Sequence, residues 1–330
     1  LSDSLHKPKE RKGYIRPPGP DQKVKPLHVI EFAAVKLIGW MVFFSPMFLV
    51  RWFGRMLGWL FYAVDRRHRK IALLNLDQAF GDSKNEAEKR QLVKQSFQHF
   101  GCALVETLRL SKITKRNFLK YVELDNVRPF YEALQGGKGV LLCSAHYGNW
   151  EVMNLVLGYL NLPMSAMARP LDNPLLHRLL EKVRCQSGNG VIYKHKSIRK
   201  ILGQLKANRI VGIVNDQDVH DRNRIILDFF GRPAATTPVP AAMAYKTGAP
   251  IVTGYAVPLG KGRYHLRFGS LIYANQEADK DEEILRLTEQ LNQRLEQQII
   301  FKPAYWLWMH KRFKTGPDGP TDFYNRDRAC

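Results

Sequence analysis

The sequence predicts an α/β fold in which a mixed central sheet is flanked by helices and preceded by an N-terminal hydrophobic membrane anchor. Three observations lead there. Between residues 140 and 214, short apolar runs alternate with segments of helical period, the pattern of strands joined by crossover helices. Residues 250–257 and 264–268 read as two strands close enough in sequence to pair antiparallel, which makes the sheet mixed. Residues 32–64 carry only Lys36, Arg51 and Arg55 as charges. With 330 residues, 45% hydrophobic and 25% charged, the chain can bury a full core without disulfides or metals, and it is neither disordered nor fibrous.

The elements follow in order. Residues 1–28 form a basic tail that Pro8, Pro17, Pro18, Pro20 and Pro26 keep from becoming a helix. Residues 32–50 would make a helix of about 28 Å at roughly 1.5 Å per residue, barely a span. Pro46 interrupts its uncharged part, 37–50. A second apolar segment, 52–64, precedes the cluster Arg66, Arg67, Arg69 and Lys70. Trp40, Trp52 and Trp59 suit a headgroup region, where an indole can be half wet. A helical hairpin in the core would explain residues 29–65, and so would an anchor that spans the membrane or lies in its interface. A cleaved signal peptide fits poorly, because the tail is long and no small-residue cleavage site follows. Basic residues flank both sides, so charge sets no orientation. Composition favours membrane attachment without requiring a full crossing.

From 82 to 110 an amphipathic helix is expected, with Leu92, Phe97, Phe100, Leu104 and Leu108 on its apolar face. After Gln135-Gly136-Gly137, strands are expected at 140–143, 164–168, 191–192 and 210–214. Helices fall at 150–160, 174–186 and 198–206, the second entered through Asn173-Pro174. Helices at 239–246 and 282–300 bracket the antiparallel strand pair. A single folded domain would thus run over 66–315, with a tail at 316–330.

Cys102, Cys143, Cys185 and Cys330 lie far apart without a CxxC pair, which argues against both a disulfide framework and a zinc site. A mean hydropathy of −0.31 excludes a polytopic membrane protein and permits one anchor. The 51 basic and 30 acidic residues give a net charge of +21, which attracts nucleic acid, an anionic bilayer, a phosphorylated lipid or an acidic protein. No zinc-finger spacing, RNP-type aromatic motif or basic recognition helix is present, so nucleic acid is set aside.

His146 and Glu151 carry the chemistry. An H-x-x-x-x-E spacing by itself means nothing: ten histidines and thirty acids supply about one such pair by chance. Its context says more, because the histidine follows an apolar strand, a glycine comes two residues later, and the acid stands in the first turn of a helix. In one unbroken helix, residues five apart point about 140° away from each other. A turn at Tyr147-Gly148 would bring Glu151 back beneath the imidazole. A carboxylate on one ring nitrogen fixes the tautomer and leaves the other nitrogen as a general base for a hydroxyl or amine. A surface histidine near an N-terminal helix acid is the plainer alternative.

Several segments then match one family in order. Ala145-His146-Tyr147-Gly148-Asn149-Trp150-Glu151 resembles the first block of the bacterial lipid A biosynthesis acyltransferases, the late lauroyl or myristoyl transferases of the HX4D/E glycerolipid acyltransferase superfamily. Ala168-Arg169-Pro170-Leu171-Asp172-Asn173-Pro174-Leu175 resembles the second block, with Arg184 at its further basic position. Asn215-Asp216-Gln217, then Phe229-Phe230-Gly231 with Ala235-Thr236-Thr237, and then the run from Tyr305 to Lys314 resemble the remaining blocks. Together they cover about residues 70 to 315. Ala145 departs from the pattern, since asparagine often precedes the histidine in these enzymes, and the proline-rich tail is longer than usual. Acyltransferases of mannosylated phosphoinositides share the first block.

The resemblance implies a glycerolipid acyltransferase-like sheet and an O-acyltransferase without a cofactor. It would use an acyl carrier protein thioester as donor and a lipid A precursor glycolipid as acceptor, at the cytoplasmic side of a bacterial inner membrane. His146 becomes the base and Glu151 its orienting partner, with backbone amides near Gly148 or a cation stabilising the oxyanion. Arg169 and Arg184 become phosphate ligands, and Asn173, Asp216 and Gln217 substrate contacts. Each has a plainer role: a solvated arginine, a helix cap at Asn173, a loop carboxylate bonding backbone amides at Asp216. Asp216, Asp218 and His220 share a period of two and could face a metal, though the resemblance implies none. Trp306 and Trp308 fit a core better than an acyl-chain lining. The alternatives are transfer from acyl-CoA to another anionic glycolipid, and a non-catalytic membrane scaffold that needs neither His146 nor Glu151.

Overall fold

A computed structural model describes residues 23–193, 197–219 and 223–325. Four helices come first: α1 (Pro26–Phe44), α2 (Met47–Val64), α3 (Arg66–Phe80) and α4 (Glu86–Thr107). Pro26 opens α1, so the helix begins inside the stretch expected to be tail, and residues 1–22 lie outside the described residues. The apolar stretch breaks at Ser45-Pro46 instead of running on to Val50. Proline has no N–H to continue the ladder, and it bars helical backbone at the residue before it. Asp65 caps α3 by accepting from His68 N at 3.0 Å, and Asn85 and Glu88 form a reciprocal capping box that starts α4. Helix α3 was not expected from the sequence, because its four cations in five residues mask its apolar face.

The sheet follows: β1 (Val122–Leu124), α5 (Arg128–Gln135), β2 (Val140–Ser144), α6 (Trp150–Tyr159), β3 (Met164–Ala168), α7 (Pro174–Cys185), β4 (Gly190–Tyr193), α8 (Ser197–Lys206) and β5 (Ile210–Val214). After a hairpin of β6 (Ile225–Phe229) and β7 (Arg232–Thr236) come α9 (Val239–Thr247), β8 (Ile251–Gly260), β9 (Arg263–Phe268) and α10 (Lys280–Phe301). A last small hairpin joins β10 (Thr315–Gly316) to β11 (Gly319–Pro320). The strand order is β1-β9-β8-β2-β5-β3-β4. Strands β8, β2, β5, β3 and β4 run parallel, and β9 turns back antiparallel on β8. The mixed sheet is as expected. The β6–β7 hairpin was not, because Phe230 takes a positive φ of 52° beside Gly231 at 72°, a two-residue turn that sequence would assign to asparagine-glycine.

Both faces of the sheet are covered. On β2, Val140 and Leu142 pack under α5 and α6, while Leu141 and Cys143 pack toward α8, α9 and α10. This is the period-two signature of a strand buried on both sides. Each such side chain contributes roughly 1.5–3 kcal/mol by leaving water. A third cluster joins α3 and α4 to the hairpin and the C-terminal segment through Leu76, Phe97, Phe229, Trp306, Trp308 and Phe313. Packing continues past residue 315: Phe323 and Tyr324 are buried, and the Tyr324 hydroxyl donates to Asn75 Oδ1 at 2.6 Å.

Candidate active site

The ladder pairs Ser144 with Val214, so β2 and β5 end level with each other. His146 and Asp216, each two residues beyond its strand, therefore emerge side by side at the C-terminal edge of the sheet, where α/β folds place ligands. His146 Nδ1 lies 2.8 Å from Asp216 Oδ1. The other carboxylate oxygen accepts from the His146 backbone N–H at 3.0 Å and from Trp306 Nε1 at 2.8 Å. Asp216 is 2% exposed and the His146 side chain 24%. A carboxylate that accepts from Nδ1–H leaves the Nε2 lone pair to act as base. Burial opposes an imidazolium here, but the Asp216 charge and hydrogen bond, with Glu151 behind them, hold His146 above its ordinary value. Asp216 moves the opposite way: burial pushes it up, and the His146 charge with its donors pulls it below the usual carboxylate range.

The turn after His146 is held from three sides. Gly148 has φ 62°, and a Cβ there would overlap the Ala256 carbonyl oxygen of β8, so only glycine fits. Its N–H donates to Tyr305 O at 2.9 Å, and its carbonyl accepts from His99 Nε2 at 3.1 Å. Burial lowers His99 to about 4, which keeps it a neutral donor. Leu307 N donates to His146 O at 3.0 Å, so the segment 305–307 runs antiparallel along the turn. The backbone amides of residues 146–149 all have partners: Asp216, Ala145 O, Tyr305 O and Ala256 O. None of these four amides is therefore free to hold an oxyanion.

Glu151 does not bond His146. It stands in the first turn of α6, and Arg184 of α7 grips it with Nε at 3.1 and 2.9 Å from the two oxygens and a further bond from Nη2. The carboxylate on the imidazole is Asp216, where Glu151 was expected. Glu151 faces the guanidinium because α6 carries it toward α7, away from the imidazole. Arg184, expected at a phosphate, is committed to Glu151 at least in part. Asn173 is the cap of α7: its Oδ1 accepts from Leu175 N at 2.9 Å and Leu176 N at 3.3 Å, while Nδ2 donates to His28 O and Glu31 Oε2 of α1. Arg169 is exposed just beyond β3 and makes no hydrogen bond among the described residues, and Gln217 is half-buried beside Asp216. Asp218 accepts from Thr315 N and Oγ1, both at 3.1 Å, while its N–H donates to His310 Nε2 at 3.0 Å. His220 lies outside the described residues, and among those described no His, Cys, Asp and Glu cluster could hold a metal.

Sequence reasoning missed Trp306, His99 and His310 as builders of this site. Trp306 and His310 stood inside a recognised block, but their partners lie 90 and 92 residues away, where no spacing reveals them. His99 gave no signal at all.

A family model described as bacterial lipid A biosynthesis acyltransferase matches residues 20–315. The lipid A biosynthesis lauroyltransferase of Escherichia coli K12 is 27% identical over 289 residues, covering 86% of this chain and 92% of its own. The palmitoleoyltransferase of the same organism is 25% identical over 302 residues, covering 86% and 96%. A phosphatidylinositol mannoside acyltransferase of Mycobacterium tuberculosis H37Rv is 25% identical over 221 residues, covering 65% and 68%.

Proposed function

The chain belongs to the bacterial lipid A biosynthesis acyltransferases, and from that premise we propose that it moves a fatty acyl group from acyl carrier protein thioester to a hydroxyl of a lipid A precursor. The acceptor is the hydroxyl of an existing 3-hydroxyacyl chain, and the reaction runs at the cytoplasmic face of the inner membrane. The observation that carries this reading is the buried Asp216 on His146 Nδ1, which leaves Nε2 on the open side of the ring. Nε2 takes the acceptor's proton as its oxygen attacks the thioester carbonyl. The imidazolium, stabilised by Asp216, then returns the proton to the departing thiolate. Such proton transfer contributes typically about 10²–10⁴-fold. No covalent enzyme intermediate or cofactor is needed. Arg169, at the same sheet edge, serves the oxyanion or an acceptor phosphate, with Gln217 as a further polar contact. The Glu151–Arg184 pair braces α6 against α7 and supplies a buried guanidinium near the acceptor's anionic groups. The positive surface suits an acidic carrier and a phosphorylated lipid.

The similarity to a phosphatidylinositol mannoside acyltransferase favours one other reading, in which acyl-CoA acylates a different anionic glycolipid. Mass spectrometry decides between them. A lipid A precursor is incubated with acyl carrier protein thioesters of several chain lengths, with wild type and His146→Ala in parallel. A gain of one acyl chain, absent in the variant, supports transfer to lipid A. Gain only with acyl-CoA and a mannosylated phosphoinositide supports the second reading.

A further inference from the structure

The reaction proposed above puts negative charge on the thioester oxygen, and a hydrogen-bond donor must meet it there. Many donors around His146 are already committed. The amides of residues 146–149 have partners, Trp306 Nε1 donates to Asp216, His99 Nε2 to Gly148 O, and Arg184 grips Glu151. Arg312 is buried with its Nη atoms on Ala235 O and Thr236 Oγ1. The side chains of Trp150, Arg169, Gln217 and His310 still carry a donor without a partner among the described residues.

His310 differs from the other three because the fold sets both its place and its tautomer. The C-terminal segment carries it across both halves of the His146–Asp216 pair. Leu307 N donates to His146 O at 3.0 Å, and Asp218 N, two residues beyond Asp216, donates to His310 Nε2 at 3.0 Å. The His310 backbone is clamped as well. Its N–H donates to Leu307 O at 3.3 Å, and its carbonyl accepts from Asn75 Nδ2 at 2.8 Å and Arg312 N at 3.0 Å. An N–H aimed at Nε2 makes that nitrogen an acceptor, so the single proton of the neutral ring sits on Nδ1. Burial lowers His310 to about 4; Asp216 opposes this, while His146, Arg312 and Lys314 add to it. The ring is therefore neutral wherever His146 works as a base, and the half-buried side chain presents Nδ1–H as a standing donor.

We propose that the Nδ1–H of His310 holds the thioester oxygen as it becomes an oxyanion. The assignment rests on the acyl transfer proposed above and deepens it. As the acceptor oxygen bonds to the carbonyl carbon, the C=O electron pair moves onto the carbonyl oxygen, and His146 Nε2 takes the hydroxyl proton. On collapse the C=O re-forms, the C–S bond breaks, and the thiolate receives that proton from His146. His310 keeps its own proton through both steps. It contributes only a hydrogen bond, which a neutral imidazole of fixed tautomer supplies without reorganising. Arg169 is then left for a phosphate of the acceptor.

The test uses the full chain with acyl carrier protein thioester and lipid A precursor, and compares wild type with His310→Ala and His310→Gln. Loss of one oxyanion donor lowers kcat by roughly 10²–10³-fold, and His310→Ala should show that loss with KM near wild type. In His310→Gln the amide oxygen can take the Asp218 N–H while the amide N–H donates, so activity should recover by about tenfold or more. Because the ring removed is neutral, the midpoint of the His146 pH profile should stay where it is in both variants. A midpoint that falls together with kcat would mean that His310 only props the 216–218 loop, and would overturn the proposal. Near-wild-type kcat in His310→Ala would overturn it too, leaving acyl transfer intact. Wild type carrying isotope-labelled histidine gives a reading that no variant's folding can cloud. There, a difluoromethylene ketone analogue of the acyl-phosphopantetheine thioester, whose hydrate copies the tetrahedral intermediate, should move the His310 Nδ1–H resonance downfield. The plain methylene ketone should not. Binding of the fluorinated analogue without that shift would overturn the proposal. Absence of transfer in wild type from either carrier protein or coenzyme A donors would instead remove the acyltransfer reading, and the oxyanion assignment with it.

Discussion

The two ends of the chain use tryptophan in opposite ways. In the α1–α2 hairpin, Trp40 and Trp52 are 65% and 63% exposed, and their ring nitrogens make no hydrogen bond among the described residues. In the C-terminal segment, Trp306 and Trp308 are buried, their rings packed edge-on at 4.7 Å, with Nε1 atoms donating to Asp216 and to Pro303 O. Arginine divides the same way. Arg55 and Arg66 face outward, whereas Arg312 is fully buried over the Phe229 ring and donates to Ala235 O and Thr236 Oγ1. The difference teaches that residue type alone sets neither fate. What decides is whether a polar partner waits at the end of the side chain.

Substitutions can sharpen that contrast, from the largest effect to the smallest. His146→Ala should cut acyl transfer by about 10²–10⁴-fold with circular dichroism unchanged, and Asp216→Asn should approach it, because an amide holds the imidazole without stabilising its charge. The pH profile separates the two. Asp216 raises His146, so wild-type activity should climb as the imidazolium loses its proton, at a midpoint above 6.5. In Asp216→Asn only Glu151 is left to oppose burial and the midpoint should fall; an unmoved midpoint would detach Asp216 from the base. Arg312→Ala should cost about 3 kcal/mol by calorimetry, since it opens a cavity and strands two buried acceptors. Trp306→Phe keeps an aromatic ring there but removes one donor to a charged group, worth about 1.5–3 kcal/mol, and should lower kcat about tenfold while leaving KM near wild type. Trp52→Ser with Trp59→Ser should change folding stability by less than about 0.5 kcal/mol yet weaken vesicle binding. A large drop in melting temperature there would mean that this surface is core after all.

Local signals read well. Strands β3 and β5 fall where alternation placed them, β9 pairs antiparallel with β8, and Asn173-Pro174 starts α7. The residue proposed as base was legible because a histidine after a strand and a glycine after that histidine are close in sequence. Its partner was misassigned for the same reason. Glu151 is five residues away and Asp216 seventy, and only the β2–β5 register brings the second one near. Helix α3, the short β1 and the β6–β7 hairpin were lost to charge, brevity and a positive φ on phenylalanine. The tryptophans of the C-terminal segment were rightly placed in a core, but that one of them donates to Asp216 is a through-space fact.

The rung that pairs Ser144 with Val214 has a consequence for how such an enzyme can change. His146 and Asp216 both hang from one step of the ladder, set by strands at the middle of the sheet. The loop that follows β3 belongs to a neighbouring strand and can trade residues without disturbing that step. Catalytic power and substrate choice are therefore separately mutable. A library confined to the exposed residues 171 and 172 should yield variants of altered preference far more often than inactive ones.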